Sequence, residues 1–307
     1  MWKEGLTPEG LILDAYSHLH EEIGLDNIKY SLEIEVDGIQ KAHDAIHEFL
    51  LIAPLLFPDD ESISWHSKSA FLVYHWEAFS LAHRSLLEAL CANYNAAYIL
   101  LRSTMELIVK GAFLECMCRK ELIENTMTLE NDRRGKALKK RIVEILAEDK
   151  LIEKRLEKTS GHIFDIIAPI IDDPKYRVPL LSIIGQLSQW KILEPIADPN
   201  EVIYNKIFKD LSANVHVIPD KIDIGRRLLT DEGILFKSEV LCQELNSFCQ
   251  NLLELMDIAI IIELNVLADL IKINHQPRSK LYERLSYLEQ LNLRYSIERL
   301  RTLTKSS

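Results

Sequence analysis

Two long apolar segments, with few turn residues within or between them, constrain the fold of this chain most. They run from about Ser67 to Cys91 and from Ala96 to about Leu122, and only the residues ANYN separate them. Asn95 is a residue type that caps helix N-termini, so each segment is expected to be one long helix. Helices joined by so short a connection fold back on each other. We therefore predict an αα-hairpin at the centre of the molecule.

The rest of the chain favours helices as well. Its 307 residues include only 10 Gly and 10 Pro, so turns are few and the elements between them are long. A stripe of side chains at steps of four and three predicts a helix from roughly 28 to 53, although IKYSLEIEV within it also alternates like a strand. The stripe consists of Leu32, Val36, Ile39, His43, Ile46 and Leu50. We predict an all-α, multi-helix bundle.

We divide the predicted bundle into three parts. Residues 1–62 supply N-terminal helices that pack on the body, and residues 63–272 form the main bundle. Within the main bundle, 126–160 is rich in charge and poor in large apolar groups, so we expect a surface excursion there. Residues 273–307 are expected to form a basic amphipathic helix, because the bases from 274 onward exceed the acids by four.

Composition and charge exclude several classes of protein. The formal net charge of -11 argues against a protein that coats nucleic acid, so any such binding must be local. The chain has five cysteines, an odd number, and all lie in apolar stretches expected to be helical. This pattern indicates reduced thiols. The N-terminal residues do not resemble a secretory signal, and the apolar run 252–270 carries four acids, too many for a bilayer span. We expect a cytoplasmic protein without membrane contact.

Common cofactor and metal motifs are absent from the sequence. Neither a P-loop nor a Rossmann glycine pattern occurs, and neither HExxH nor the ExxH pair of di-iron bundles is present. His43 and His47 lie one turn apart and so have the spacing of metal ligands. The other interpretation is a core histidine with a surface neighbour, because His43 lies within the apolar stripe. We predict no cofactor and no metal ligand.

Charged residues interrupt the second helix of the predicted hairpin. Arg102 and Glu106 lie four residues apart on one face of an otherwise apolar helix, and a buried charge requires a partner. One interpretation is a structural ion pair, with partners on the preceding helix among Glu77, Arg84 and Glu88. The other is that Arg102 faces a cleft where it holds an anion.

A second set of polar residues follows DPNE (198–201), where Pro199 opens a helix. Asn205, Lys209, Ser212 and His216 step by 4, 3 and 4 and form one polar stripe beside the apolar residues. His216 is expected at the helix C-terminus, where the dipole favours the protonated imidazole. That suits a general acid or a phosphate contact, whereas the simpler interpretation is a helix stop before Pro219.

These two sets of residues carry a resemblance to a known group of proteins. LLRSTMEL (100–107), followed about a hundred residues later by LSANVH (211–216), resembles the pattern of prokaryotic helical families related to the HEPN superfamily. Those proteins are small, often dimeric bundles of toxin–antitoxin and phage-defence systems, and many are metal-independent endoribonucleases. The resemblance implies that Arg102 and Glu106 line a cleft, which Ser212, Asn214 and His216 border.

The resemblance also has a clear departure. The ribonucleases of the superfamily carry an arginine before the histidine on one helix, whereas Lys209 stands before His216 here. The expectation is therefore a HEPN-like ribonuclease, or a module that binds RNA, a nucleotide or a small anion without turnover. The alternative is a non-catalytic interaction protein that forms a homo-oligomer through its last helices, at Leu281, Leu285 and Leu288.

Overall fold

The fold is all-α, as the sequence predicts. The computed structural model describes residues 24–56, 69–117, 127–146, 173–215, 240–268 and 276–305, with the isolated positions 7, 10, 12, 13, 17, 122, 169 and 170. Every regular element in these stretches is a helix, and they contain no strand. The helices are α1 Asn27–Ile34, α2 Val36–Leu56, α3 Ala70–Leu90, α4 Tyr94–Met117, α5 Met127–Glu130, α6 Arg133–Leu146, α7 Leu180–Gln189, the π-helix Asn200–Phe208, α8 Lys209–Val215, α9 Cys242–Val266, α10 Gln276–Leu291 and α11 Arg294–Lys305.

The predicted hairpin is confirmed as the antiparallel pair α3 and α4, which pack along their whole length. Glu115 of α4 accepts hydrogen bonds from Ser69 Oγ at 3.0 Å and from the Phe71 amide at 3.1 Å, so it satisfies the free N-terminus of α3. Gly111 allows the close approach of the two helices, because a Cβ there would lie 2.7 Å from Tyr74 Cβ. The pair forms a rigid base for the other helices.

Helix α9 is the second central element and is buried almost all round from Leu255 to Val266. It packs against α2, α3, α4 and α11. Among the described helices, it is the one that is long and apolar enough to cross a membrane, but most of it is buried inside the bundle. Asp257 of α9 accepts hydrogen bonds from the amides of Tyr295 and Ser296, which fixes the start of α11.

Three helices differ from the periodicity-based prediction. The helix expected at 28–53 is broken at Glu35, whose φ and ψ are -138° and 47°, and the ambiguous IKYSLEIEV stretch lies in helices on both sides of this break. The basic amphipathic helix expected within 273–307 divides at Asn292, which has a left-handed φ of 58°. The helix that follows Pro199 begins as a π-helix and becomes α-helical only at Lys209. The apolar pattern continues across Glu35 and Asn292 and through the π-helix, so averaged periodicity does not reveal these changes.

Apolar residues of the peripheral segments join the same core. In the charged region 126–160, Leu129, Leu138 and Ile142 are fully buried. On α10, Leu281 and Leu288 are also fully buried, because α10 packs against α2 and α11. These two leucines therefore stabilise the chain itself and are not an exposed interface for a second copy.

Candidate functional site

The structure brings Arg102 of α4 against the helix that carries the polar stripe. Its guanidinium carbon lies 4.8 Å from the ring centroid of Phe208, at the end of the π-helix. Helix α8 packs on α4 next to this contact, and Leu211 of α8 is buried, as are Ile203 and Ile207 of the π-helix. The two segments that carry the resemblance are therefore neighbours in space.

The Arg102–Phe208 contact continues into a longer arrangement. The Phe208 ring stacks on the Tyr204 ring with centroids 5.3 Å apart and an interplanar angle of 18°. The ammonium nitrogen of Lys209 lies 5.9 Å from the centroid of the Tyr204 ring. We call Arg102, Phe208, Tyr204 and Lys209 the cation–aromatic row. Both rings are half-buried, so each keeps an accessible edge or face.

Glu106 holds Arg102 in place from its own helix. Glu106 Oε1 lies 3.3 Å from Arg102 Nε, and Glu106 Oε2 accepts a hydrogen bond from Lys110 Nζ at 3.1 Å. Among the described contacts, the charged partner of Arg102 is Glu106 of α4 itself and not one of the preceding-helix residues that one interpretation named. Because Arg102 keeps only 22% of its side chain exposed, the contacts with Glu106 and Phe208 fix its orientation.

The structure separates the polar stripe into exposed and buried residues. Asn205 and Lys209 are exposed and form a ladder, in which Lys209 Nζ donates to Asn205 Oδ1 at 2.7 Å and Asn205 Nδ2 donates to Glu201 Oε2 at 2.7 Å. Ser212 is buried instead, and its Oγ has no hydrogen-bond partner among the described residues. Lys209 and Ser212 both lie in α8, one exposed and the other buried, so the predicted stripe does not form one exposed polar face.

Two predicted site residues fall outside what the structure describes. The side chain of Asn214 and the whole of His216 lie outside the described residues. The predicted meeting of Arg102 and His216 therefore stays a prediction. The described part of the site offers a guanidinium, an ammonium and two stacked rings.

A second cluster of functional groups lies between α2 and α3. The Nε2 atoms of His43 and His47 are 3.2 Å apart, and His83 of α3 completes a group of three ring nitrogens that all lie within 4.8 Å of one another. We call His43, His47 and His83 the histidine cluster. The His43 side chain is 45% exposed, so His43 is not the core residue that its place in the apolar stripe indicated.

The surroundings of the histidine cluster orient its rings. Asp44 Oδ1 lies 3.4 Å from His43 Nδ1 and also accepts a hydrogen bond from Gln40 Nε2 at 2.8 Å. The His83 ring hydrogen-bonds the backbone of Phe79, whose own ring packs edge-on against it at 4.4 Å. Burial, followed by the nearby His47 and His43 rings, lowers the pKa of His83, which favours a neutral imidazole.

Sequence reasoning missed three residues at these sites. Tyr204 and Phe208 lie four residues apart on one helix, a spacing at which aromatic side chains meet. His83 comes from a different helix than His43 and His47, and no local pattern links it to them.

No family model matches the chain, and neither a curated protein nor a solved structure matches it.

Proposed function

We propose that this chain is a HEPN-like helical protein that binds single-stranded RNA or a nucleotide at the cation–aromatic row. The observation that carries the proposal is a pair of stacked rings with one cation beside each ring, on one helix and its neighbour. Proteins that bind single strands combine aromatic stacking surfaces for bases with cations for the phosphates. A local site of this kind is compatible with a chain whose overall charge is -11.

The residues of the row take different parts in the proposed complex. Tyr204, stacked on Phe208, supplies the stacking surface for a base once the flexible Lys209 side chain that lies over its ring is displaced. Lys209 then moves to a phosphate, which its exposed position permits. Arg102 is fixed by Glu106 and Phe208 and offers a preoriented guanidinium to a second phosphate. Glu106 acts as a positioning residue.

Cleavage of the bound strand is the second part of the proposal. The ribose 2′-hydroxyl attacks the adjacent phosphorus, His216 transfers a proton, and Arg102 with Lys209 stabilises the charge on the phosphoryl oxygens. The 5′-oxygen leaves with a proton and a cyclic phosphate forms, so no metal is required for the step. Loss of His216 is expected to lower the rate by roughly a hundredfold or more while RNA binding persists.

Binding is tested by fluorescence anisotropy with a labelled single-stranded RNA at low and high salt. Tyr204→Leu keeps an apolar side chain but removes the ring, and it is expected to weaken binding by roughly five- to a hundredfold. Lys209→Gln should weaken binding and reduce the dependence on salt. Lys29→Gln removes a lysine whose side chain is 86% exposed and is the matched control. Equal affinity of Tyr204→Leu, Lys209→Gln and the control would contradict the proposed binding site.

Cleavage is tested separately, on denaturing gels, with wild-type protein and His216→Ala. If wild-type protein binds the RNA normally but leaves it intact, the binding proposal stands and the ribonuclease proposal is wrong.

Self-association is a further prediction, and light scattering coupled to size-exclusion chromatography measures it. Because Leu281 and Leu288 are buried within the chain, a dimer would have to use other surfaces.

A further inference from the structure

We propose that the histidine cluster is a binding site for a divalent transition-metal ion of the zinc class. His43 and His47 of α2 supply two nitrogens from one helix face, and His83 of α3 supplies the third. This site shares no residue with the cation–aromatic row, so it stands independently of the proposed RNA binding. It departs from the sequence-based expectation of no metal because a third ligand comes from another helix.

The distances between the ring nitrogens fit such an ion. Zinc–imidazole bonds of about 2.0–2.1 Å at tetrahedral angles place the nitrogens about 3.3 Å apart. His43 and His47 already lie at 3.2 Å. All three nitrogens lie within 4.8 Å, so closure requires a shift of roughly 1.5 Å at most, which small side-chain rotations supply.

The partners of two of the rings fix which nitrogen is available. Asp44 Oδ1 faces His43 Nδ1, so this nitrogen carries the proton and Nε2 presents its lone pair toward His47. The Phe79 backbone holds His83 in a similar way. Carboxylate and carbonyl groups behind the ligating histidines are the usual second sphere of zinc sites. Asp44 is therefore an orienting group for His43 and not a fourth ligand.

The ligand set also selects the class of ion. Three imidazoles suit Zn²⁺, Co²⁺, Ni²⁺ and Cu²⁺, whereas Mg²⁺ and Ca²⁺ require oxygen ligands. The partial exposure of His43 leaves one side of the cluster open to solvent. A bound ion would thus keep a fourth position for water or for a small anion, and it would link α2 to the central hairpin.

The experiment uses the untagged full chain after EDTA treatment and dialysis. Competition with a coloured chelator measures zinc affinity and stoichiometry, and Co²⁺ gives the visible bands of a tetrahedral site. We expect one Zn²⁺ per chain, a higher melting temperature with Zn²⁺, and no change with Mg²⁺. Asp44→Asn should weaken zinc binding about tenfold, and His83→Gln by more than about a hundredfold.

The control is Glu77→Gln, which changes an exposed residue of α3, the helix that carries His83. This variant should bind zinc as the wild type does. Circular dichroism without metal checks that each variant folds. If His83→Gln does not fold, His47→Gln on α2 is used in its place. The proposal is overturned if the wild type binds no Zn²⁺ in this assay. It is equally overturned if the folded histidine variant binds as tightly as Glu77→Gln, since the ion would then lie elsewhere.

Discussion

Replacing Asp257 by Asn is expected to loosen the attachment of the last helix to the core. Asp257 lies in the middle of α9, and its carboxylate accepts hydrogen bonds from the Tyr295 amide at 2.9 Å, the Ser296 amide at 2.7 Å and Ser296 Oγ at 2.6 Å. These amides belong to the first turn of α11, where helix N–H groups have no partner within the helix. A carboxylate from one helix thus caps another.

The expected loss of stability depends on which hydrogen bonds remain after Asp257 is replaced by Asn. Hydrogen bonds to a charged group contribute about 1.5–3 kcal/mol each. Burial raises the pKa of Asp257 in spite of its hydrogen bonds, so the cost of burying the charge offsets part of this gain. Asparagine keeps one acceptor oxygen and loses the charge and the second oxygen. We expect a loss of about 2 kcal/mol in the free energy of unfolding.

Urea denaturation followed by circular dichroism measures this loss. With a slope of about 2 kcal/mol per molar urea, the midpoint should fall by about 1 M. Hydrogen exchange at the Tyr295 and Ser296 amides should accelerate by about thirtyfold if α11 detaches locally. Glu254→Gln, one turn earlier on α9, removes a carboxylate that pairs with the exposed Lys206, and should cost less than about 1 kcal/mol. Equal midpoints for the two variants would refute the capping role.

Three further changes test the core. Burial raises the pKa of Glu263 well above 4.5, so the folded chain keeps this proton at a pH where the unfolded chain loses it. Stability therefore falls as pH rises above about 4.5, and Glu263→Gln should melt higher than wild type by a margin that grows as the pH is raised above this value. Gly111→Ala places a Cβ within 2.7 Å of Tyr74 and should lower the free energy of unfolding, measured in urea, by about 1–2 kcal/mol. The clash outweighs the better helix propensity of alanine. Arg284→Met leaves the buried Glu48 without its guanidinium and should cost about 3 kcal/mol in the same assay, and adding Glu48→Gln should recover part of this.

Local patterns were enough to predict the helical framework. The segments expected at 67–91 and 96–122 are found as α3 and α4, since apolar residues at helical spacing and a four-residue connection leave few other folds. The position of α9 follows from its nearly continuous apolar surface, which fits only the centre of a bundle. These features depend on neighbours within one or two turns, and a sequence displays them directly.

The sites depend on contacts that a sequence does not display. The i,i+4 spacing of Arg102 and Glu106 is visible in the sequence, whereas the contact of Arg102 with the Phe208 ring, about a hundred residues away, is not. His43 was placed in the core by its spacing, yet the buried positions of α2 follow a different line and leave it partly exposed beside His83. Docking angles between helices decide the Phe208 contact and the exposure of His43, and these angles are set by packing of the whole bundle.

Both proposed sites are built by the same central hairpin, each with one helix from elsewhere in the chain. Helix α3 contributes His83 to the histidine cluster, which α2 completes, whereas α4 contributes Arg102 to the row, which the π-helix completes. Because the sites have no residue in common, His83→Gln should leave RNA affinity unchanged and Lys209→Gln should leave zinc affinity unchanged. Loss of both activities in a single-site variant would therefore indicate unfolding, and it would not count as evidence for either site.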